Sequence, residues 1–336
     1  MRYYNLKDPG VTTGFRGAVE RGISADMGLF MPEQIPRMDA SFFKRLPEMT
    51  LPEIAAETGQ HYIGDEIPAP VVRQICEEAF DFPVVLKQVT EHRYVLELFH
   101  GPTAAFKDFG ARFMAGCFRY FSSFDDRRTV VIVATSGDTG GAIASAFLGV
   151  EATDVVILYP SGKVSLIQEK QLTTLGRNIT AIEVDGTFDD CQTMVKSALA
   201  GSAMYSKVKL ASANSINIAR LIPQSFYYYY AIGRSGDARV VSVPSGNFGN
   251  ITAAAMARRS GLGIDHLVAS TNVNRVVPDY LGTGIYSPAV SIATIANAMD
   301  VGNPGNFDRF RRVFDDDYDT ISGSVSGYWF DDESIR

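Results

Sequence analysis

His100-Gly101-Pro102-Thr103-Ala104-Ala105-Phe106-Lys107-Asp108-Phe109-Gly110 sets one lysine at the start of an apolar helix. The preceding Tyr94 to Phe99, Tyr-Val-Leu-Glu-Leu-Phe, reads as a buried strand, and Phe106, Phe109, Phe113 and Met114 recur at helical spacing after it. A lysine at a helix N-terminus faces the positive end of the helix dipole. Apolar neighbours make its ammonium form costly, so its pKa is expected to fall. A neutral amine is what carbonyl chemistry needs, and a lysine so placed can form a Schiff base. The plainer reading is a lysine that covers part of a helix face with its methylenes and keeps its charge in water. Lys107 alone fits both, so the rest of the chain must decide.

Outward from this stretch the chain alternates strand and helix. Apolar runs stand at 129–134, 154–159, 179–184, 207–211, 239–243 and 266–270, separated by helical patterns. Short β-branched runs of this kind indicate an α/β fold with parallel sheets flanked by helices. Upstream, residues 1–82 read as a helix and loop region punctuated by Pro32, Pro36, Pro47, Pro52, Pro68 and Pro70, with an amphipathic helix from Val71 to Phe80. Residues 83–336 read as one α/β region, with a small subdomain within about 105–240 and a large subdomain from the remainder. Tyr227 to Tyr230 fall inside a helical pattern and are expected to pack it against a neighbour. After Phe310 the pattern weakens, and no closing helix is expected after Tyr328-Trp329-Phe330.

The 336 residues carry 46% hydrophobic and 21% charged side chains, the balance of a water-soluble globular protein. A net charge of −7 argues against a nucleic-acid binder, which shows a basic footprint. Anionic ligands would therefore need local positive sites. Cys76, Cys117 and Cys191 lie far apart, and with four scattered histidines they form neither a disulfide framework nor a metal-ligand pattern. The N-terminus lacks the apolar run of a signal peptide, and no stretch is long enough to span a bilayer. A reduced, cytoplasmic, metal-free protein is the expectation.

Two segments share one design. An apolar run leads into Thr135-Ser136-Gly137-Asp138-Thr139-Gly140-Gly141 and then a small-residue helix; another leads into Pro244-Ser245-Gly246-Asn247-Phe248-Gly249-Asn250 and a second such helix. A glycine-rich turn at a helix N-terminus presents backbone N–H groups to an anion. Ligands of open α/β sheets bind at the carboxyl edge where such turns lie. A third turn, Pro160-Ser161-Gly162-Lys163-Val164-Ser165, fits a solvated loop and a phosphate contact equally. Asp189 and Asp190, after Gly186-Thr187, read as helix N-terminal capping. No dinucleotide fingerprint, P-loop, nucleophile elbow or zinc-protease motif occurs.

A lysine at a helix start with two anion loops downstream fits a pyridoxal-phosphate enzyme. The chain resembles the threonine synthase family, of the tryptophan-synthase-β-like fold (fold type II). The resemblance runs through Asp26-Met27-Gly28-Leu29-Phe30-Met31-Pro32, the Lys107 stretch, Ala134 to Gly140, Gly186 to Gln192, Ala213-Asn214-Ser215-Ile216-Asn217 with Arg220, and Pro244 to Asn250. It implies pyridoxal 5'-phosphate as cofactor and conversion of O-phospho-L-homoserine and water to L-threonine and phosphate. Lys107 would be the Schiff-base lysine and proton shuttle. Ser245, Gly246, Asn247, Phe248, Gly249 and Asn250 would cradle the cofactor phosphate, and Asp138 stands where many relatives place an asparagine beside the ring hydroxyl. Ser136, Gly137, Thr139 and Gly140 would hold the substrate carboxylate. Thr103 joins them, and Lys163, Ser165, Asn214, Asn217 and Arg220 would bind the substrate phosphate or shape the site. Met27 replaces a glycine of the family motif and is expected to alter only a turn. The family continues past position 336, so the C-terminal part of the fold, with the hydroxyl residue facing the pyridine nitrogen, is expected to be absent here. The rival readings are another lyase of this fold, a threonine dehydratase or cysteine synthase, or a catalytically impaired relative that binds a phosphorylated metabolite. Oligomeric state is not legible.

Overall fold

The computed structural model describes residues 1–135, 137–201 and 207–336, with Asp189 described by its backbone alone. The chain forms two compact units. One holds Met1–Gln34, Leu51–Val85 and Glu97–Pro223; the other holds Ile35–Thr50, Leu86–Leu96 and Gln224–Arg336. Of the first 82 residues, those from Ile35 to Thr50 fall in the second unit and the others in the first.

The first unit opens with β1 (Arg2–Asn5), β2 (Thr12–Gly14) and β3 (Phe30–Pro32), an antiparallel sheet in the order β2-β1-β3. The Tyr3 hydroxyl donates to the Tyr62 carbonyl at 2.7 Å and ties this sheet to the helix Leu51–Ile63. Met27 sits at φ 63°, in the left-handed region that favours glycine, which explains why a glycine suits its position. The amphipathic helix Ala69–Ala79 follows as the spacing predicts.

β4 (Val85–Thr90) and β5 (Arg93–Glu97) form a two-stranded hairpin. This corrects the reading of Tyr94 to Phe99 as a buried strand: Val95 and Phe99 are exposed, at 49% and 54%. The apolar residues of this run alternate on a two-stranded ribbon that buries little. A loop of residues 98–106 separates β5 from the helix Lys107–Ser122.

β6 (Arg128–Ala134), β7 (Thr153–Pro160), β8 (Ile179–Val184) and β9 (Val208–Ser212) form a parallel sheet in the order β8-β7-β6-β9. Val131, Val133, Val155 and Ile157 are fully buried at its centre. The chain leaves β6 toward β7 and β8, then returns to the other side of β6 as β9. That reversal is a topological switch point, and the crevice outside the carboxyl ends of β6 and β9 is where such sheets take ligands.

In the second unit β10 (Val240–Pro244), β11 (His266–Thr271) and β12 (Val325–Trp329) form a parallel sheet in that order. β12, with the helices Phe307–Val313 and Tyr318–Ser324 before it and the short helix Asp332–Ile335 after it, corrects the expectation that regular structure fades after Phe310. The strand was hidden because it reads Val-Ser-Gly-Tyr-Trp. Its glycine is a packing requirement: a side chain at Gly327 would meet the Pro278 Cα at 2.6 Å.

Candidate active site

Lys107 is the first residue of the helix Lys107–Ser122, and its side chain is only 16% exposed. The loop that delivers it is closed by Asp108, which accepts from the Thr103 N–H at 2.9 Å and from the Thr103 hydroxyl at 2.6 Å. A side chain at Gly101 would strike the same carboxylate, so the glycine lets the loop fold over it. Thr103 therefore acts as a latch. The Lys107 amine lies 5.2 Å from the Phe106 ring centroid and donates to Asp138 Oδ2 at 3.2 Å. Burial, first, pulls its pKa below the ordinary lysine range, and the Arg220 guanidinium adds to this, while Asp138 resists it.

At the carboxyl edge of the four-stranded sheet, β6 runs into the loop that precedes the helix Asp138–Phe147. Gly137 takes φ 142°, open only to glycine. Thr135, which the sequence reading left out, braces this loop: its Oγ1 accepts from the N–H groups of Gly137 and Gly140, at 3.0 and 2.8 Å, and donates to the Gly137 carbonyl. The same hydroxyl thus faces the N–H groups of both glycines expected to hold a substrate carboxylate. Thr139 remains on the first turn of that helix, and Ser136 lies outside the described residues.

Asp138 is held from two sides. Its Oδ2 takes Lys107, and its Oδ1 accepts from Gln168 Nε2 at 2.7 Å. Burial works to raise its pKa, but the Lys107 ammonium and the Gln168 amide overcome this and hold it below the usual carboxylate range. Gln168 belongs to the helix Leu166–Thr173, where Ser165 is the N-cap and shares a capping box with it. Lys163 is exposed and contributes to lowering the Asp190 carboxyl, behind the Thr187 N–H and hydroxyl. Thr187 and Asp190 form the capping box of the helix Phe188–Ala200, as the capping reading expects.

The loop after β9 supplies the third group of residues. The Asn217 side chain is fully engaged: its amide donates to the Val19 and Ser212 carbonyls at 2.8 and 2.9 Å, and its oxygen accepts from the Ala219 N–H. It fixes the short helix Ile218–Leu221 that carries Arg220. Arg220 is buried, donates to the Ala213 carbonyl at 2.9 Å, and has its pKa pushed down to about 10 by burial. Asn214 Oδ1 is buried without a hydrogen-bond partner among the described residues.

The turn of the second unit follows β10. Ser245 is buried, with its N–H donating to the Ser270 carbonyl at 2.7 Å and its hydroxyl to the Val243 carbonyl at 2.8 Å. Gly246 lies against the 298–299 backbone; a side chain there would meet the Ala298 carbonyl oxygen at 2.8 Å. That backing segment is pinned by Asn272, which donates to Asp300 at 2.7 Å and to Thr294 at 2.9 Å. Asn247 accepts from the Gly305 N–H and from Asn306. Phe248 adopts φ 59°, and its ring packs edge-on against Phe307 and Phe310, so burial offsets the strained backbone. Gly249 then opens the helix Gly249–Arg259. Asn250 Oδ1 accepts from the hydroxyls of Tyr227 and Tyr228, which joins the tyrosine helix Pro223–Ser235 to this one.

Two family descriptions match this chain: "Pyridoxal-phosphate dependent enzyme" over residues 85–325 and "Threonine synthase N terminus" over residues 2–80. The threonine synthase of Haemophilus influenzae is 45% identical over 94% of this chain and 74% of its own length. The crystal structure of Escherichia coli threonine synthase superposes with a TM-score of 0.93 at 41% identity, covering 99% of this chain and 78% of that one. A pyridoxal-phosphate-bound threonine synthase from Brucella melitensis gives 0.91 at 32% identity, covering 99% and 79%.

Proposed function

Because the chain belongs to the threonine synthase family of pyridoxal-phosphate-dependent lyases, we propose that it converts O-phospho-L-homoserine and water to L-threonine and inorganic phosphate, with Lys107 as the cofactor lysine. The observation that carries the residue assignment is the buried Lys107 amine, lowered in pKa at a helix start and paired with Asp138.

The donor set suits the cofactor. Lys107 offers an amine that deprotonates more readily than an exposed lysine, as aldehyde capture requires. The turn 245–250 offers the backbone N–H groups of Gly246 to Gly249 and a helix N-terminus for a phosphate. Ser245, whose hydroxyl donates to the Val243 carbonyl, shapes this turn, and Asn250, whose Oδ1 accepts from two tyrosine hydroxyls, keeps its amide N–H groups as donors. When bound, pyridoxal 5'-phosphate supplies a conjugated ring that takes up the electron pair left at a substrate carbon.

Lys107 serves as the base that removes the substrate Cα proton and later returns it. Asp138 orients the amine for both transfers. Thr139, with the N-terminus of its helix and Ser136, takes the substrate carboxylate. Arg220, Asn214 and Lys163 serve the substrate phosphate, supplying positive charge and polar contact in a chain of net charge −7. Asn217, Ser165 and Thr103 hold the elements that carry these groups.

Among the described residues no helix is long and apolar enough to cross a membrane. The buried free thiols of Cys76, Cys117 and Cys191 suit a reducing, cytoplasmic setting. Incubating purified, cofactor-loaded protein with O-phospho-L-homoserine tests the reaction: phosphate and L-threonine should appear in equal amounts. Turnover of threonine or O-acetylserine without any phosphate release would instead assign the chain to a dehydratase or cysteine synthase.

A further inference from the structure

We propose that Gln168 is a positioning residue of the catalytic apparatus: by clamping the Asp138 carboxylate it sets how strongly Asp138 holds the Lys107 amine. This rests on the assignment of Lys107 as the cofactor lysine.

Three observations meet at this side chain. Gln168 Nε2 donates to Asp138 Oδ1 at 2.7 Å, while the other oxygen of the same carboxylate faces Lys107 at 3.2 Å. Gln168 Oε1 accepts from the Ser165 N–H at 3.1 Å, which fixes which end of the amide points at Asp138. Its amide group also lies over Gly137, where a Cβ would approach its carbon and nitrogen at 2.4 Å. The glycine therefore makes room for the glutamine, and both polar ends of Gln168 are used.

A carboxylate with one oxygen anchored presents the other in a fixed direction. Without that anchor Asp138 is free to turn about its χ2 and weaken its grip on Lys107. The charged groups that bear on Lys107 are Asp138, which raises its pKa, and Arg220, which lowers it, with the Phe106 ring beside the amine. Those that bear on Asp138 are Lys107 and the Gln168 dipole. A second carboxylate at position 168 would add negative potential next to the pair and raise the Lys107 pKa. The capture of an aldehyde, which requires the neutral amine, would then move to higher pH.

The test uses the full chain freed of cofactor with hydroxylamine. It is mixed with pyridoxal 5'-phosphate across a pH series, and the lysine-bound fraction is trapped with borohydride and located by peptide mapping. Gln168→Glu preserves the shape over Gly137 and is expected to move the midpoint of capture upward by about one pH unit. A midpoint equal to wild type, with the label on Lys107, overturns the role of Gln168 and leaves the lysine assignment standing. A wild-type label on another lysine overturns the lysine assignment itself. Should Gln168→Glu fail to accumulate, Gln168→Met, which cannot donate, carries the test. A capture midpoint on Lys107 moved to lower pH supports the clamp, and an unchanged midpoint overturns it.

Discussion

Lys107 is governed by burial and two charged neighbours, acting in two directions. Burial and Arg220 favour the neutral amine, and Asp138 favours the ammonium. Asp138→Asn removes the only one of these that raises the pKa, so the pH at which Lys107 captures pyridoxal 5'-phosphate should fall, opposite in sign to Gln168→Glu. Borohydride trapping across a pH series measures it, and an upward movement would contradict the balance described. Lys107→Ala should cost roughly a thousandfold or more in turnover, because it removes both the attachment point and the base. Steady-state phosphate release checks this, and near-wild-type release would show that another residue does the chemistry. The lowered pKa of Lys107 was legible from its place before an apolar helix. The partnership with Asp138 was not, because thirty-odd residues of chain separate them and only the packing of the helix Lys107–Ser122 against the helix Asp138–Phe147 brings them together.

Elements decide which glycines are needed. Gly246 lies on the backbone of residues 298–299, and a methyl group there has nowhere to go. Gly246→Ala should displace the turn 245–250 and weaken cofactor retention by about tenfold or more, since the N–H groups of that turn are its anion donors. Retention after gel filtration reads this, and unchanged retention would remove the turn from the cofactor site. Gly282, inside the helix Val276–Thr283, has open space around a helical backbone, so Gly282→Ala should stabilise the protein by about 0.5 to 1 kcal/mol in a urea titration. The glycine-rich turns after β6 and β10 were readable because strand, turn and helix follow one another in sequence. The Thr135 brace was not, since a threonine in a turn carries no mark of which N–H groups its hydroxyl will collect. Gln168 did leave a trace, as the fourth residue of a Ser-x-x-Gln capping box, but that pattern gives no sign that the side chain also reaches Asp138. β12 escaped notice because parallel pairing with β11 and the approach of Pro278, both long-range, turn a glycine-containing run into a strand.

The whole molecule must hold an anionic cofactor and substrate while carrying a net charge of −7. On the proposed assignment, helix N-termini and a few buried or edge cations would do this rather than a basic surface. Its own carboxylates are largely satisfied at caps and ion pairs. Asp26, Asp39, Asp125, Asp190, Asp317 and Asp331 all sit below the ordinary aspartate pKa of 3.8 because N–H, hydroxyl or ammonium donors face them. A carboxyl that is lowered on folding binds fewer protons in the native than in the unfolded chain, so it stabilises above the unfolded value and ceases to do so as pH falls. The urea midpoint should therefore drop progressively from about pH 5 toward pH 2. A midpoint that stays flat over that range would mean these contacts do not persist in solution. The most direct measurement of the whole account is borohydride reduction of the cofactor-loaded protein, followed by mass spectrometry of its peptides. One pyridoxal-phosphate group per chain is expected, attached to the peptide containing Lys107; its recovery on any other lysine would contradict the assignment on which the rest depends.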